Sequence, residues 1–159
     1  MKENIVFKPA GKDEVDLYCF MGEALCMIQE LEEALSHSII LKKHYAMAKK
    51  QADDALNKHR NSYTLGKAVQ LAERENLYPR PLQSALNDFY KERNWLVHKS
   101  MFESRDDIYS ALSKDKLFQK IKSIADDAQK LQHEIELDMV NFCASKGRDM
   151  SKTLDVIKS

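Results

Sequence analysis

Apolar residues recur every three or four positions through most of the 159-residue chain, which is the period of an α-helix. The first such stripe starts after Asp13, which can cap a helix, and fades towards residue 60. It predicts either one very long helix over about residues 13–60 or two helices that meet near Ser36–Ser38. Helical periodicity does not choose between them. The strongest positions of the stripe are Leu17, Met21, Leu25, Ile28, Leu31, Leu35 and Ile39.

Breaks in the pattern divide the rest of the chain. Thr64 is predicted to cap a short helix, and the segment Tyr78–Pro81 interrupts the helical pattern because residues before proline avoid the α region. The second proline of that segment suits the first turn of a helix running to about residue 102. Ser104 or Asp106 restarts the chain, which continues as one long helix or as a short helix and a long one. Lys146-Gly147 is predicted to end this helix.

Composition supports the same fold class. The chain has only 4 Gly and 3 Pro, so it offers few of the tight turns that a β-rich fold requires. The sequence therefore predicts an all-α fold, an antiparallel four- to five-helix bundle with a long N-terminal helix. Residues 1–146 are predicted to form a single domain and residues 147–159 a mobile C-terminal tail.

Charge and cysteine usage limit the possible partners and location. Lys+Arg and Asp+Glu balance at 25 each, so RNA or DNA contact has to be local, brief or assembled from subunits. No apolar stretch approaches the ~20 residues of a membrane span, and Met1–Lys12 is too polar for a signal peptide. Cys19, Cys26 and Cys143 lack metal or disulfide spacing and are expected to be reduced, buried thiols. These features predict a cytoplasmic protein without a membrane partner.

The helix after Pro81 contains a contradiction. Arg93 falls in the middle of its apolar stripe, although a guanidinium cannot lose its charge and cannot stay unpaired in a core. Two alternatives follow: a structural carboxylate partner such as Glu23 or Glu30, or a cleft where an anion binds. The acidic cluster at residues 30–33 could also supply that partner. The stripe itself consists of Leu82, Leu86, Phe89, Leu96 and Val97.

Two polar residues lie beside that stripe. Asn94 and His98 are four residues apart and share one helical face, whereas Arg93 and His98 are about 140° apart on an ideal helix. Histidine can accept and return a proton near neutral pH, and asparagine can orient it. Trp95 lies opposite the stripe, which indicates either a packed neighbouring helix or a subunit contact.

The run Arg93-Asn94-Trp95-Leu96-Val97-His98 resembles the signature of the HEPN superfamily, an arginine, a polar residue and a histidine late in a core helix of an all-α bundle. The resemblance in topology covers roughly residues 13–146. It implies a metal-independent endoribonuclease that acts as a homodimer in toxin or defence biology. It assigns Arg93 to the phosphate, His98 to acid–base catalysis and Asn94 to positioning. No cofactor is implied, and RNA and a cognate antitoxin or regulatory protein are the implied partners.

Other HEPN proteins serve as noncatalytic binding modules, so a helical protein-interaction or regulatory module is the alternative function. Two further constellations are weaker. His37, His44, His59 and His133 lack the spacing of a catalytic zinc site, which takes at least three protein ligands. The basic residues at 42–43, 49–50 and 59–60 could track an RNA backbone, although ordinary helix surface explains them as well.

Overall fold

A computed structural model describes residues 8–158, and the regular elements within that range are all helical. Five of them have ten residues or more, which confirms the predicted all-α bundle with a long first helix. Within the same range, a single 3-10 turn spans Asp107–Tyr109. The α-helices are α1 (Lys12–Lys43), α2 (Lys49–Ser62), α3 (Leu65–Arg74), α4 (Arg80–His98), α5 (Ser100–Glu103), α6 (Ala111–Ser145) and α7 (Ser151–Lys158).

The start of α1 lies slightly earlier than predicted. Gly11, not Asp13, is the N-cap residue, and its backbone N–H donates to Glu14 Oε2 at 2.6 Å. The carboxylate of Glu14 therefore satisfies a backbone donor that precedes the first turn, where negative charge is also favourable.

The long first stripe contains two helices, and the predicted position of their break is wrong. The chain turns at residues 44–48, whereas Ser36 and Ser38 lie buried inside α1. Ser36 Oγ is 3.2 Å from Nδ1 of His59, and Arg60 Nε donates to Glu33 Oε2 at 2.9 Å. The small polar residues thus mark where α2 returns antiparallel along α1, because a short side chain leaves room for that helix.

The later boundaries largely follow the predictions. Thr64 is the N-cap of α3, and α4 starts after Pro79 with Pro81 in its first turn. This helix ends at His98 rather than near residue 102, because the chain leaves regular helical geometry at Lys99 before forming α5. Gly147 has a φ of +83°, and Arg148 N–H donates to Cys143 O, so glycine ends α6 as predicted. The segment predicted as a tail carries α7.

The two longest helices lie side by side and run parallel. Lys114 Nζ is 3.0 Å from Asp13 Oδ1 near their N-terminal ends, and Lys42 pairs with Asp138 near their C-terminal ends. The connection before α4 contacts the C-terminal end of α1, where Lys42 Nζ lies 4.5 Å from the Tyr78 ring centre. Trp95, late in α4, contacts Lys120 in the N-terminal third of α6. The helix α4 is therefore antiparallel to both long helices.

The core between these helices is mainly aliphatic. Burying one such side chain contributes roughly 1.5–3 kcal/mol to folding, so this layer is the main stabilising feature of the bundle. The largest fully buried apolar side chains are Leu31, Leu35, Ile39, Leu65, Leu86, Leu96, Ile121, Ile124, Ile135 and Val69. Within residues 8–158, no helix is both long enough and apolar enough to cross a membrane.

The cysteine prediction is wrong for two of the three thiols. Cys143 is buried, but Cys19 and Cys26 are exposed on α1, and all three are free. Cys19 and Cys26 are seven residues apart, so they share one face of α1 that the neighbouring helices leave uncovered.

Candidate functional site

Core contacts fix the rotation of α4 about its axis. Leu82, Leu86, Phe89 and Leu96 are buried, which confirms four of the five predicted stripe positions. Val97 is instead 41% exposed. Because Leu96 already points into the core, a step of about 100° turns the next side chain away from it.

Arg93 lies at the edge of the core, opposite α1. Its Nη2 is 3.5 Å from Glu32 Oε1, and the two side chains are 21% and 31% exposed. A structural carboxylate partner is therefore present, and it comes from the acidic cluster at residues 30–33 rather than being Glu23 or Glu30. Arg93 Nε is buried and has no hydrogen-bond partner among the described residues. One long ion-pair contact thus leaves part of the guanidinium donor set unused.

Asn94 and His98 share the adjacent face of α4. Asn94 is half-buried, and His98, the last residue of the helix, is exposed. Among the described residues, the His98 ring and the Asn94 amide form no hydrogen bond with each other or with any other side chain. No hydrogen bond joins His98 to Arg93 either. The structure thus places all three candidate residues within two helical turns, but it does not bring the arginine and histidine together within one chain.

Trp95 anchors the opposite side of the same turn. Its indole N–H donates to Glu103 Oε2 at 2.7 Å, and Lys120 Nζ lies 3.3 Å from its ring centre. Of the two explanations predicted for this tryptophan, the packed neighbouring helix is the one observed. These contacts to α5 and α6 hold the rotation of α4 that exposes His98.

An apolar surface that the sequence pattern did not predict borders His98. Val97, Met101 and Phe102 are 41%, 48% and 87% exposed. Met101 and Phe102 also line a groove of about 480 Å³ between α1, α5 and the start of α6, together with Tyr18, Ile108 and Tyr109. Exposed apolar side chains grouped in this way are typical of contact surfaces. A helical stripe reveals only buried positions, so periodicity contains no signal for these exposed residues.

Two of the remaining histidines, His59 and His37, make side-chain contacts within the bundle. His59 is buried, stacks on Tyr63 with ring centres 4.4 Å apart and lies beside Ser36. Burial, and secondarily the charge of Lys43, lowers the pKa of His59, so the neutral ring is favoured. His37 bonds within its own helix to Glu33. Within residues 8–158, no three His, Cys, Asp or Glu side chains are grouped to hold a metal ion.

Three of the six basic residues considered for RNA tracking are neutralised by ion pairs. Lys42 pairs with Asp138, Lys43 with Glu75 at 2.8 Å, and Arg60 with Glu33. These contacts match the interpretation of this run as ordinary helix surface. The most distinctive surface feature of α4 is therefore a group of four neighbouring side chains. It consists of the candidate site residues Arg93, Asn94 and His98, and of Val97, which borders them.

Comparisons with protein-family models, curated proteins and solved structures find no match for this chain.

Proposed function

We propose that the protein is a metal-independent endoribonuclease of the HEPN kind, active as a homodimer in toxin or defence biology. The observation that carries the proposal is the position of Arg93. This permanently charged side chain sits half-buried at the core edge. Among residues 8–158 it has a single carboxylate contact, at 3.5 Å, and its Nε has no hydrogen-bond partner. Its planar donors suit a phosphate, and its immobilised helix can hold them in place before the substrate arrives.

The proposed reaction uses His98 twice, once from each subunit. One imidazole takes the proton of a ribose 2′-hydroxyl, whose oxygen then attacks the adjacent phosphorus. The bond from phosphorus to the 5′-oxygen breaks, and the protonated His98 of the second subunit gives that oxygen a proton. Arg93 stabilises the negative charge that develops on the phosphate, and Asn94 positions it or the imidazole. The products carry a 2′,3′-cyclic phosphate and a 5′-hydroxyl.

Two observations favour a site composed of two copies. Arg93 and His98 project from α4 in different directions, and no hydrogen bond joins them. Exposed Val97 and Met101 lie one residue before and three residues after His98. Burying these apolar side chains against a second copy would bring two His98 rings towards a shared cleft. Two Arg93 side chains would then concentrate positive potential in a chain whose formal net charge is zero.

The test is cleavage of a defined single-stranded RNA by purified protein in the presence of a metal chelator. Arg93→Ala and His98→Ala should each lower the rate at least ~100-fold, the low end of what an acid–base group contributes. His133→Ala, which removes an exposed histidine from α6, should cleave like the wild type and serves as the matched control. Expression of the wild type should also slow host growth, with both effects abolished in the two α4 variants. A folded wild-type dimer that leaves RNA intact, or an undiminished rate of RNA cleavage by His98→Ala, would contradict the proposal.

A noncatalytic interaction module remains the second candidate, because the groove beside α5 presents Phe102 and Tyr109 to solvent, 87% and 78% exposed. A protein partner such as an antitoxin or regulatory protein would cover these rings. Under this alternative the wild type leaves RNA intact. Phe102→Ser, rather than His98→Ala, then abolishes the slowing of host growth.

A further inference from the structure

A polar pocket lies at the turn between α3 and α4, apart from the Arg93 site. Its volume is about 350 Å³, within the range of small-ligand sites. The turn itself contains Asn76 with a φ of +51°, a left-handed conformation that non-glycine residues seldom adopt. The residues used below, which all line this pocket, are Glu73, Arg80, Gln83 and Asn87.

Hydrogen bonds fix the amide groups in this pocket. Gln83 Nε2 donates to Val69 O and to Asn87 Oδ1, both at 3.2 Å. Asn87 Nδ2 in turn donates to Glu73 Oε1 at 3.2 Å. Both donors of the Gln83 amide are thus used within the protein. This series of hydrogen bonds fixes the orientation of the Gln83 and Asn87 amide groups.

The Gln83 amide oxygen is left over. The residue is only 8% exposed, and its Oε1 is buried without a hydrogen-bond partner among the described residues. Buried polar atoms are nearly always paired, so an unpaired oxygen on a residue that lines a pocket points to a ligand that supplies the missing donor.

Charges at the pocket specify the ligand further. The Glu73 carboxylate adds a second acceptor, held in place by Asn87. Arg80, in the first turn of α4, forms no ion pair with the described carboxylates, and that turn contains no acidic residue. An anion beside Arg80 would therefore also meet the positive end of the α4 dipole. The pocket is therefore complementary to a ligand with adjacent hydrogen-bond donors at one end and an anionic group at the other.

We propose that this pocket binds a guanine nucleotide unit of the RNA substrate, which rests on the proposed ribonuclease function. The N1–H and N2 amino group of guanine place donors side by side for Gln83 Oε1 and Glu73, and its phosphate meets Arg80. Adenine and cytosine pair each amino group with a ring acceptor, which the Glu73 carboxylate repels. Asn87, Asn94 and His98 share one face of α4, and the eleven helical steps from Asn87 to His98 span about 16 Å. A short single-stranded RNA can follow this face from the pocket to the proposed cleavage site.

Ligand binding is measured on the full chain carrying His98→Ala, so that RNA is not cleaved during the titration. Calorimetry with 5′-GMP, 5′-AMP and 5′-CMP should give a GMP affinity about ten-fold above the other two. Fluorescence anisotropy of a labelled oligouridylate should show a similar gain when one central uridine is replaced by guanosine rather than adenosine.

Matched substitutions assign the groups. Gln83→Met and Glu73→Gln should each remove the guanine preference, and Glu73→Gln alters only an exposed side chain, so it stays informative even if Gln83→Met does not fold. Arg80→Gln should weaken all nucleotides alike, whereas Arg74→Gln, an exposed arginine outside the pocket, should change nothing.

The outcomes separate this proposal from the ribonuclease proposal. RNA cleavage by the wild type without any guanine preference in either binding assay overturns the pocket assignment alone. Guanine-selective binding by a protein that never cleaves RNA supports the pocket and contradicts the ribonuclease. Binding of free GMP with no gain from guanosine within the RNA overturns the RNA substrate as the source of the ligand.

Discussion

Arg93 and Glu32 form a half-buried ion pair in which each charge depends on the other. Removing one partner leaves the other charge at the core edge without compensation. A fully buried pair broken in this way costs ~3–5 kcal/mol, and solvent access here lowers that cost. We expect Arg93→Ala and Glu32→Ala each to lower the free energy of unfolding by about 1–2 kcal/mol, measured by urea denaturation.

The double substitution Arg93→Met with Glu32→Leu separates stability from catalysis. Replacing both charges with apolar side chains of similar volume should restore most of the lost stability, because no charge stays behind uncompensated. If Arg93 binds phosphate, this stable variant still fails to cleave RNA. Wild-type cleavage by the double variant would show that the arginine has only a structural role.

His59 should make folding stability depend on pH. Burial lowers its pKa in the folded protein, so the unfolded chain binds the proton more readily. The contribution of the neutral His59 ring to the free energy of unfolding is therefore fully present above the unfolded pKa of about 6.5. It falls as the pH drops below that value. Thermal melts at a series of pH values should show a smaller acid loss for His59→Gln than for the wild type. His133→Gln, which removes an exposed histidine from α6, should keep the wild-type slope.

At the residue scale, the sequence located the candidate side chains better than their partners. The helical wheel of α4 places Arg93 in an apolar stripe without any knowledge of the fold. Which glutamate meets it depends on the rotation and axial position of α1 relative to α4. The helical wheel of α4 does not distinguish among Glu23, Glu30 and Glu32 as the partner. The unpaired oxygen of Gln83 can be recognised only from the coordinates.

Two helical glycines provide a matched test of how the elements pack. A Cβ at Gly66 of α3 would lie 2.6 Å from the ring of Tyr90 on α4, whereas one at Gly22 of α1 meets no atom within 4 Å. Gly22→Ala should stabilise the protein by about 0.5–1 kcal/mol through helix propensity alone. Gly66→Ala gains the same propensity but should still destabilise by about 1 kcal/mol overall, because overpacking costs more.

Chemical denaturation of both variants checks this difference. The close approach of α3 and α4 also predicts that Tyr90→Leu makes the alanine at position 66 tolerable. Equal stabilisation by Gly22→Ala and Gly66→Ala would contradict the observed packing between these two helices.

At the element scale, periodicity predicted the helices and their proline and glycine boundaries, but it misplaced one turn. Ser36 and Ser38 resemble a break because serine disfavours helix interiors. In the fold they are accommodated by tertiary contacts, with Ser36 meeting His59 of α2. The actual turn at residues 44–48 contains neither glycine nor proline, so local sequence provides no marker for it.

At the scale of the whole molecule, the exposed apolar residues beside His98, Val97 and Met101, predict a dimer. Val97→Glu and Met101→Glu should shift the protein to monomers in light scattering and reduce RNA cleavage together with it, because charge at a shared interface is costly to bury. Met47→Glu, at a similarly exposed position in the turn between α1 and α2, should leave both properties unchanged.

Circular dichroism should show that these variants retain their helices, since all three positions are exposed. A wild-type protein that remains monomeric at high concentration would contradict the composite site. From the sequence, Trp95 was expected either to pack on a neighbouring helix or to make a subunit contact, and it packs on α6. The interface residues predicted here therefore come from the structure alone.

The parallel pairing of α1 and α6 also has a consequence for synthesis of the protein. Asp13 and Lys114 are 101 residues apart in the chain, yet they meet at one end of this pair. At about 5–20 residues per second, a ribosome needs roughly 5–20 s to add the residues between them. During that interval the apolar face of α1 has no α6 to cover it. Nascent chains are therefore expected to need chaperone protection until the ribosome has released the last long helix.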